Sequence, residues 1–377
     1  MSMQNYLKHY RMRITALAPI HVGDGTKLGK KEYIQQSAAG PIIVPDINKM
    51  FQTLRMLRRD TAYAEFMLGN AKEGLGQWLK DQRITQNYID SWKRYSLDPG
   101  DAFVRKSTGR RDATPKEILS FVKDVYEQPY IPGSTLKGML RTALLCRRIH
   151  ENPGKYASKL EALQRAAAFK GSRNTYLKRE TDELEAAVFH TLNRNDKRPM
   201  DAVNSMLSGL IVSDSEPISE KQLMLAQKID VTLRGEEKSL PILREALKPG
   251  TEINFELTID SHICDATIEE IMAALEYFQK ISYERFYSRF QRGCREKGIV
   301  WLGGGTGFLS KTMLYPVFGE QAVKLTDQTF RTTLGKNYDE HKHAGDVSKG
   351  VSPHVCKCTR YHGKLYDMGM GKIEVLS

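Results

Sequence analysis

The sequence has few of the features that mark a membrane or secreted protein. No stretch approaches the roughly 18 consecutive apolar residues that a membrane-spanning helix requires, and residues 1–17 hold several cations but no apolar run suited to a signal peptide. The five cysteines are scattered and odd in number, which is unlike a disulfide framework. These absences predict a protein of the reducing cytoplasm that has no membrane partner.

The familiar signatures of hydrolases are absent as well. The sequence has no G-x-S-x-G elbow, no H-E-x-x-H pair and no isolated pair of carboxylates. Asp182, Glu183 and Glu185 lie close together, but within a highly charged segment they are typical of a solvated helix surface. No short-period repeat and no low-complexity tract is present. The sequence therefore indicates neither a small-molecule substrate nor a cofactor.

What the sequence has in excess is positive charge. It carries 57 Lys and Arg residues against 45 Asp and Glu residues, a formal net charge of +12. With 40% hydrophobic and 27% charged residues, its composition is otherwise that of an ordinary globular protein. A soluble protein as basic as this usually binds a polyanion, most commonly nucleic acid, although excess charge can also serve solubility alone.

The hydrophobic pattern predicts an α+β fold in two parts. At 377 residues the chain is long for a single domain. We expect one unit at residues 1–215, with helical insertions at about 50–128 and 150–208, and a second at residues 216–377 that holds a glycine-rich loop. The predicted strands are Tyr10–Ala18, Pro41–Val44, Leu210–Val212, Leu223–Val231, Glu252–Ile259 and the final MGKIEVLS, and the predicted helices include Ile47–Leu57, one beginning at Ser134 and Thr267–Phe290.

The first candidate binding element is the helix predicted after a Pro-Gly turn. Ser134 is its expected N-cap, and leucines at i, i+4 and i+8 from Leu136 form its expected buried stripe. Lys137 and Arg141 are four residues apart and share another face. A helix N-terminus with a nearby lysine can bind a phosphate, but the same cations also fit a solvated basic face.

The second candidate is a glycine-rich loop late in the chain. The run GGGTG supplies Gly303, Gly304, Gly305 and Gly307, and Lys311 follows it. Successive backbone N–H groups in such a loop can form a concavity that binds anions. The segment GTGFLSKT also resembles a nucleotide-binding P-loop, but Ser310 stands where that motif requires glycine, so contact with nucleic-acid phosphates is the better use. A tight structural turn is the remaining alternative.

Further cations precede this loop. Arg289 and Arg292 follow Arg285 at helical spacing, and Arg295 and Lys297 come next. Because neutralised phosphates dominate sequence-independent affinity for nucleic acid, clustering of this kind favours a contact with the nucleic-acid backbone. Each residue taken singly also fits a solvated helix face.

Histidine and cysteine offer two further hypotheses. His21 follows the first predicted strand, where a general base is conceivable, but no partner for it is evident. The tail is rich in metal-ligand types, namely His341, His343, His354, Cys356, Cys358 and His362. Its C-x-C spacing departs from the usual zinc pattern, and no second cysteine pair follows, so we expect no metal site.

Three glycine-bearing segments, taken together, resemble the RAMP superfamily of CRISPR-associated proteins. They are HVGDGTKLG after the first strand, IPGSTLKGMLR at the helix start, and WLGGGTGFLSKT. The second resembles the family's I-P-G-S-S-[LI]-[KR]-G-x-x-R pattern, with Thr135 in place of the usual serine. The segments run from residue 20 to residue 312, so the resemblance covers most of the chain. Length, the GGGTGFLSKT variant and the closing YDMGMGKIEV are most similar to the fifth-subunit family of type III-A (Csm) effector complexes.

The resemblance implies RRM-like (ferredoxin-like) domains, two of them here, and a subunit that does not cut RNA. Members of that family cap the filament of backbone subunits near the 3′ end of the guide RNA and take part in guide maturation. The implied partners are guide RNA and other Csm subunits, especially the backbone subunit, with host nucleases as further candidates. The residues that would contact RNA or a neighbouring subunit are Gly23, Gly25, Lys137, Arg141, Gly303, Gly304, Gly305, Gly307 and Lys311, and we add His21, Lys27 and Ser134 from the same segments, with Arg289 and Arg292.

Two rival functions stay open at this point. Some RAMP relatives are endoribonucleases that act without metal, and His21 with a nearby lysine would then be catalytic. Backbone subunits of type III complexes cut target RNA with an aspartate in an early loop, so Asp24 is a candidate by analogy. The other rival is a scaffold that binds acidic protein partners and scarcely touches RNA.

Overall fold

Burial with a period of two marks the first strand as part of a packed sheet. Met12, Ile14 and Ala16 are buried, and the residues between them are partly exposed. The structure, a computed structural model, describes residues 6–70, 73–104, 116–169 and 175–377. The strands of these residues are Leu7–Ala16 (β1), Gly23–Leu28 (β2), Ile34–Gln35 (β3), Ile42–Pro45 (β4), Lys93–Leu97 (β5), Ile118–Phe121 (β6), Leu210–Val212 (β7), Leu223–Thr232 (β8), Glu237–Leu247 (β9), Glu252–Asp260 (β10), Ile299–Trp301 (β11), Val355–Tyr361 (β12), Lys364–Asp367 (β13) and Met370–Val375 (β14).

The helices confirm an α+β fold. They are Ile47–Met56 (α1), Asp60–Leu68 (α2), Leu75–Asp81 (α3), Gln86–Ser91 (α4), Gly133–Glu151 (α5), Pro153–Ala168 (α6), Lys178–Phe189 (α7), Ile268–Arg285 (α8), Leu314–Phe318 (α9), Ala322–Leu334 (α10), Asn337–Glu340 (α11) and Asp346–Lys349 (α12). In the parts of the chain that the structure describes, no helix is long and apolar enough to cross a membrane.

A five-stranded antiparallel sheet has the order β11-β14-β1-β10-β7. Helices α5 and α8 pack against each other and share a core with β1. The predicted stripe on α5 is confirmed, because Leu136, Leu140 and Leu144 are almost wholly buried. Along the chain the main elements of this layer follow the order β1, α5, β7, β10, α8, β14.

A six-stranded sheet has the order β13-β12-β8-β9-β6-β2, in which only the pairing of β6 with β9 is parallel. The backbone joins this sheet to the five-stranded one just after β1, where Ile20 pairs with Leu247 of β9. Both large sheets take strands from either side of residue 215, where the sequence predicts a domain boundary. For example, β1 pairs with β10, and β6 pairs with β9.

Helices α1 to α4 pack against a small three-stranded sheet of order β3-β4-β5, around Trp78 and Trp92. Asp46 caps α1, since its side chain accepts a hydrogen bond from the N–H of Lys49 at 3.1 Å. The segment at about 50–128, where the sequence predicts a helical insertion, contains strands β5 and β6 besides its helices. Their partners, β4 and β9, are distant in sequence, and no local pattern reveals that pairing. The segment HVGDGTKLG, which is not among the strands predicted from the sequence, also contains β2.

Candidate nucleic-acid interface

The three glycine-bearing segments meet in one cleft. It has a volume of about 500 Å³ and lies where the connection from β1 to β2, the first turns of α5 and the loop after β11 come together. We call this space the glycine cleft. The predicted site residues that line it are Gly23, Ser134, Arg141, Gly303, Gly304 and Lys311.

A second hollow of about 510 Å³ continues the groove across the start of α5. It shares Ser134 and Arg141 with the glycine cleft and adds Lys137. Its far wall comes from α7 and from residues 202–208. The predicted cations of α5 therefore face an open groove.

The loop after β11 is held directly on the backbone of His21. The N–H of Gly304 donates to the carbonyl oxygen of His21 at 2.6 Å. Gly303 has a φ of +83°, and a Cβ atom at this position would lie 2.1 Å from the same oxygen. Only glycine fits there, because a side chain would be strained in the left-handed region and would also meet the backbone. Residues 309–311 then form a single short 3-10 turn, whereas a P-loop leads into a helix of its own.

The side chain of His21 is a buried structural link. The residue is 5% exposed, and its Nδ1 lies 2.7 Å from the carbonyl oxygen of Glu245. Because a carbonyl can only accept, Nδ1 carries the proton. The ring is close to Gly23 and Gly304, where added Cβ atoms would lie 3.0 Å from Nε2 and 3.1 Å from Cδ2. Burial lowers the pKa of His21 to about 4, so the ring is neutral at neutral pH.

A buried ionic network lies beside His21, and sequence reasoning missed it. The fully buried carboxylate of Glu245 accepts hydrogen bonds from the hydroxyl of Tyr95 at 2.7 Å and from the N–H of Phe121 at 2.8 Å. The ammonium of Lys123, whose side chain is 9% exposed, pairs with the same carboxylate. The network joins β5, β6 and β9 near the wall of the glycine cleft, and its members are too far apart in sequence to be recognised as a motif.

The cations of the groove differ in how strongly they are engaged. Lys311 is exposed, and within the described residues its side chain makes no hydrogen bond or ion pair. Arg141 lies 3.5 Å from Glu185 of α7. Lys137 donates to the carbonyl oxygen of Leu207 at 2.7 Å, and partial burial lowers the pKa of its ammonium. A carbonyl oxygen does not neutralise Lys137, so the groove keeps a positive field.

The start of α5 corrects the predicted N-cap. The helix begins at Gly133, and Ser134 lies inside the first turn without a capping hydrogen bond. The carboxylate of Asp214 instead accepts a hydrogen bond from the N–H of Gly133 at 2.7 Å. Ser134 is exposed to the cleft.

Six other predicted site residues do not line the groove, namely Gly25, Lys27, Arg289, Arg292, Gly305 and Gly307. Arg292 donates to the carboxylate of Asp367 at 2.5 Å and to the carbonyl of Leu365, and Arg289 donates to the carbonyl of Lys349. Helix α8 ends at Arg285, and a left-handed residue at 291 redirects the chain, so helical spacing does not extend to these arginines. Gly25 and Lys27 lie on β2, where Lys27 pairs with Glu117 at 3.3 Å.

The histidine- and cysteine-rich tail separates into two groups of ligand-type side chains. One comprises His343, Asp346 and His354, and the other comprises Cys356, Cys358 and Asp367. In the first group, the buried Asp346 accepts hydrogen bonds from His343 at 2.9 Å and His354 at 2.6 Å. In the second group, Asp367 is the ion-pair partner of Arg292.

Comparison with known proteins gives consistent relatives. A Csm5 protein of Mycobacterium tuberculosis (strain CDC 1551 / Oshkosh), described as "CRISPR system Cms protein Csm5", is 25% identical over 396 residues, covering 99% of each chain. The protein of the same description from Enterococcus italicus is 28% identical over 380 residues, covering 91% of this chain and 92% of that protein. The one from Streptococcus thermophilus is 27% identical over 326 residues, covering 82% of each.

Two solved structures share the fold. A chain in the cryo-EM structure of a Csm–crRNA–target RNA ternary complex of a type III-A CRISPR-Cas system superposes with a TM-score of 0.64 at 19% identity, covering 97% of this chain and 100% of that one. The crystal structure of T. onnurineus Csm5 gives a TM-score of 0.61 at 18% identity, covering 96% and 99%. The RAMP superfamily model matches residues 13–308, which is well over half of the sequence. The chain therefore belongs to the RAMP superfamily.

Proposed function

We propose that this chain is a non-catalytic, RNA-binding subunit of a type III-A CRISPR (Csm) effector complex and that it holds guide RNA along the glycine cleft. The observation that carries the proposal is the meeting of three distant glycine-bearing segments in one groove with Lys137, Arg141 and Lys311. The Csm5 relatives match nearly the full length of the chain, which supports the same role.

The proposed mechanism is positional. Cations along the groove neutralise phosphates, and the glycine loop, packed tightly on His21, forms one wall of the path. This way of binding reads the sugar–phosphate chain rather than the bases, so we expect little sequence preference. In the complex, the subunit would cap the filament of backbone subunits near the 3′ end of the guide, contact the backbone subunit and assist guide maturation in the cytoplasm, with host nucleases as further partners.

We infer that the five-stranded layer is an RRM-like (ferredoxin-like) unit. What supports this is the order β1, α5, β7, β10, α8, β14 along the chain, together with the spatial order β7-β10-β1-β14 in the sheet. We assign the second RRM-like unit to the six-stranded sheet. On this assignment the two units interleave along the chain. Residue 215 then does not separate one unit from the other.

The environment of His21 supports a non-catalytic subunit over a metal-independent endoribonuclease. A general acid or base works best with a pKa near the operating pH, and burial holds the pKa of His21 at about 4. Its Nδ1 is already engaged with the carbonyl of Glu245. Asp24 accepts hydrogen bonds from the N–H and hydroxyl of Thr26, both at 2.7 Å, which is the arrangement of a local turn.

The test is RNA binding across a salt series without metal, with the integrity of the RNA followed in parallel. We expect salt-dependent binding of single-stranded RNA that stays intact, and a weaker affinity and shallower salt slope in Lys311→Gln and Arg141→Gln. Lys364→Gln on β13, an exposed lysine away from the groove, is the matched control and should bind like the wild type. Metal-independent cleavage that disappears in His21→Ala would overturn the non-catalytic assignment, and unchanged RNA binding in the groove variants would overturn the cleft.

A further inference from the structure

A second group of cations lies on the other side of the glycine loop. Lys228 of β8, Arg244 of β9 and Lys357 of β12 belong to three adjacent strands of the six-stranded sheet. We call them the sheet-face cations. None of them belongs to a motif, and in the sequence they are spread over more than a hundred residues between positions 228 and 357.

The glycine loop packs directly on two of these side chains. A Cβ atom at Gly305 would lie 3.4 Å from the guanidinium of Arg244, and one at Gly307 would lie 3.1 Å from Cγ of Lys357. Both glycines have positive φ, +82° and +94°. The same loop that closes the glycine cleft with Gly303 and Gly304 thus rests on the sheet-face cations through Gly305 and Gly307.

The charge of this group is poorly balanced. Lys357 forms an ion pair with Asp230 at 2.8 Å. The carboxylate of Asp230 also attracts the charges of Lys228 and Arg244. Within the described residues, the guanidinium of Arg244 makes no hydrogen bond. Burial lowers the pKa of Arg244 and of Lys228, and repulsion from Lys357 and Arg244 lowers that of Lys228 further. Three partly buried cations share one carboxylate, an arrangement that a bound anion would stabilise.

We propose that Lys228, Arg244 and Lys357 form a second phosphate site, which binds the backbone of the same RNA strand after it crosses the glycine loop from the glycine cleft. The inference rests on the proposed RNA-binding function and extends it by naming the path of the strand. An RNA phosphodiester fits better than a free phosphate ion, because the site is continuous with the cleft through consecutive residues of one loop. The path runs from Lys311 and Arg141, over Gly303–Gly307, to Arg244 and Lys228.

The test compares Arg244→Met and Lys228→Met with the wild-type chain. Methionine keeps most of the apolar stem and removes the charged group together with its N–H donors. We expect each variant to bind single-stranded RNA several-fold more weakly, with a salt slope smaller by about 0.7 for each phosphate that is no longer neutralised. We also expect each variant to be at least as stable to denaturant as the wild type, because repulsion between the cations has been removed. A purely structural role for these side chains predicts the opposite change in stability.

A control variant, the groove variants and a competition assay separate the possible outcomes. Lys364→Gln, on the same sheet but away from the loop, should keep wild-type affinity. If Arg244→Met and Lys228→Met bind RNA with wild-type affinity and slope while Lys311→Gln is impaired, the second site is overturned and the proposed function stands. If Lys311→Gln and Arg141→Gln are also unimpaired, the proposed function fails with it. Should Arg244→Met not fold, Lys228→Met decides alone. In the competition assay, the decisive result is inorganic phosphate displacing labelled RNA as well as unlabelled RNA does at the same concentration of phosphate groups. That result would overturn the assignment to a continuous strand.

Discussion

At the scale of single residues, His21 shows how a residue with catalytic potential can serve as a link instead. Its backbone carbonyl accepts a hydrogen bond from the N–H of Gly304, and its Nδ1 donates to the backbone carbonyl of Glu245. Its ring is close to Gly23. Three segments of the chain are therefore fixed relative to one another by one residue, through its backbone carbonyl and its neutral imidazole. Protonation would add a charge to a buried site that already faces Arg244 and Lys123.

This arrangement predicts a pH dependence of stability. The pKa of His21 is about 4 in the folded chain against 6.5 when unperturbed, so the unfolded chain binds more protons between these values. Stability that is fully present above about pH 6.5 should be lost as the pH falls towards 4, by about 2 kcal/mol between roughly pH 7 and pH 5. Denaturant unfolding at both pH values checks this. The amide of His21→Asn can replace the Nδ1–H donor but does not titrate, so the free energy of unfolding of this variant should fall less between roughly pH 7 and pH 5 than that of the wild type. An equal fall in the free energy of unfolding between the two pH values in both proteins would show that His21 is not the group responsible.

The close approach of the glycine loop to His21 gives a second residue-level prediction. Gly303→Ala places a Cβ atom 2.1 Å from the carbonyl of His21, whereas Gly25→Ala, at a similar φ of +88°, meets nothing within 4 Å. Both changes place an alanine in the left-handed region, which costs about 1–2 kcal/mol of stability, but only Gly303→Ala adds a clash with the backbone. We expect Gly303→Ala to lower the free energy of unfolding clearly more than Gly25→Ala. Equal effects in chemical denaturation would show that the loop is not held on His21.

The buried ion pair of Glu245 and Lys123 gives a third residue-level prediction. Glu245→Gln leaves the Lys123 ammonium without its counter-charge in a site where the lysine side chain is 9% exposed, so we expect a loss of about 3–5 kcal/mol. In the double variant Glu245→Gln, Lys123→Met no buried charge is left unpaired, and much of that loss should be recovered. Unfolding free energies of the two single variants and the double variant measure the coupling, and additive losses would refute it.

At the scale of elements, the start of α5 depends on a residue outside the helix. Asp214 caps Gly133 from the segment after β7, and Gly133 has no room for a side chain because a Cβ atom would lie 2.3 Å from the carbonyl of Val212. The helix N-terminus is thus docked tightly on the end of β7 and is oriented towards the glycine cleft by that contact. The exposed Ser134 is left available to the cleft.

The cap can be tested with a matched pair. Asp214→Ala removes the acceptor for the N–H of Gly133 and should lower the free energy of unfolding by about 1 kcal/mol. Ser134→Ala removes a hydroxyl that makes no capping hydrogen bond and should leave stability nearly unchanged. Denaturant unfolding of both variants decides between the two caps, and the reverse order of effects would restore Ser134 as the N-cap.

At the scale of the whole molecule, neither large sheet is complete in one half of the sequence. The strand β1 lies between β14 and β10, and both of those partners come from beyond residue 215. In the other sheet, β6 of the first half joins β2 to β9 of the second half. A cut at residue 215 therefore leaves unpaired strand edges and an open core in both fragments.

We predict that neither fragment 1–215 nor fragment 216–377 folds by itself. Each should show no cooperative thermal transition and poor amide dispersion in nuclear magnetic resonance spectra, because each lacks strands from the middle of a sheet. Co-expression of the two fragments is the control and should restore a folded complex. A fragment 216–377 that unfolds cooperatively alone would establish the boundary predicted from the sequence.

Features that depend on a few neighbouring residues were predictable from local patterns in the chain. The leucine stripe of α5, the presence of helix α8 and the three glycine-bearing segments could all be predicted from spacing and motif, because helical periodicity and turn residues act over a few positions. The chain also carried enough motif information to predict the superfamily. Which residues share a site became apparent only once the chain was folded. The pairing of β1 with β10, the Glu245 network, the sheet-face cations and the engagement of Arg292 by Asp367 all join positions far apart in the chain. Those contacts depend on the burial of whole layers, and no local pattern specifies which distant strand supplies the partner.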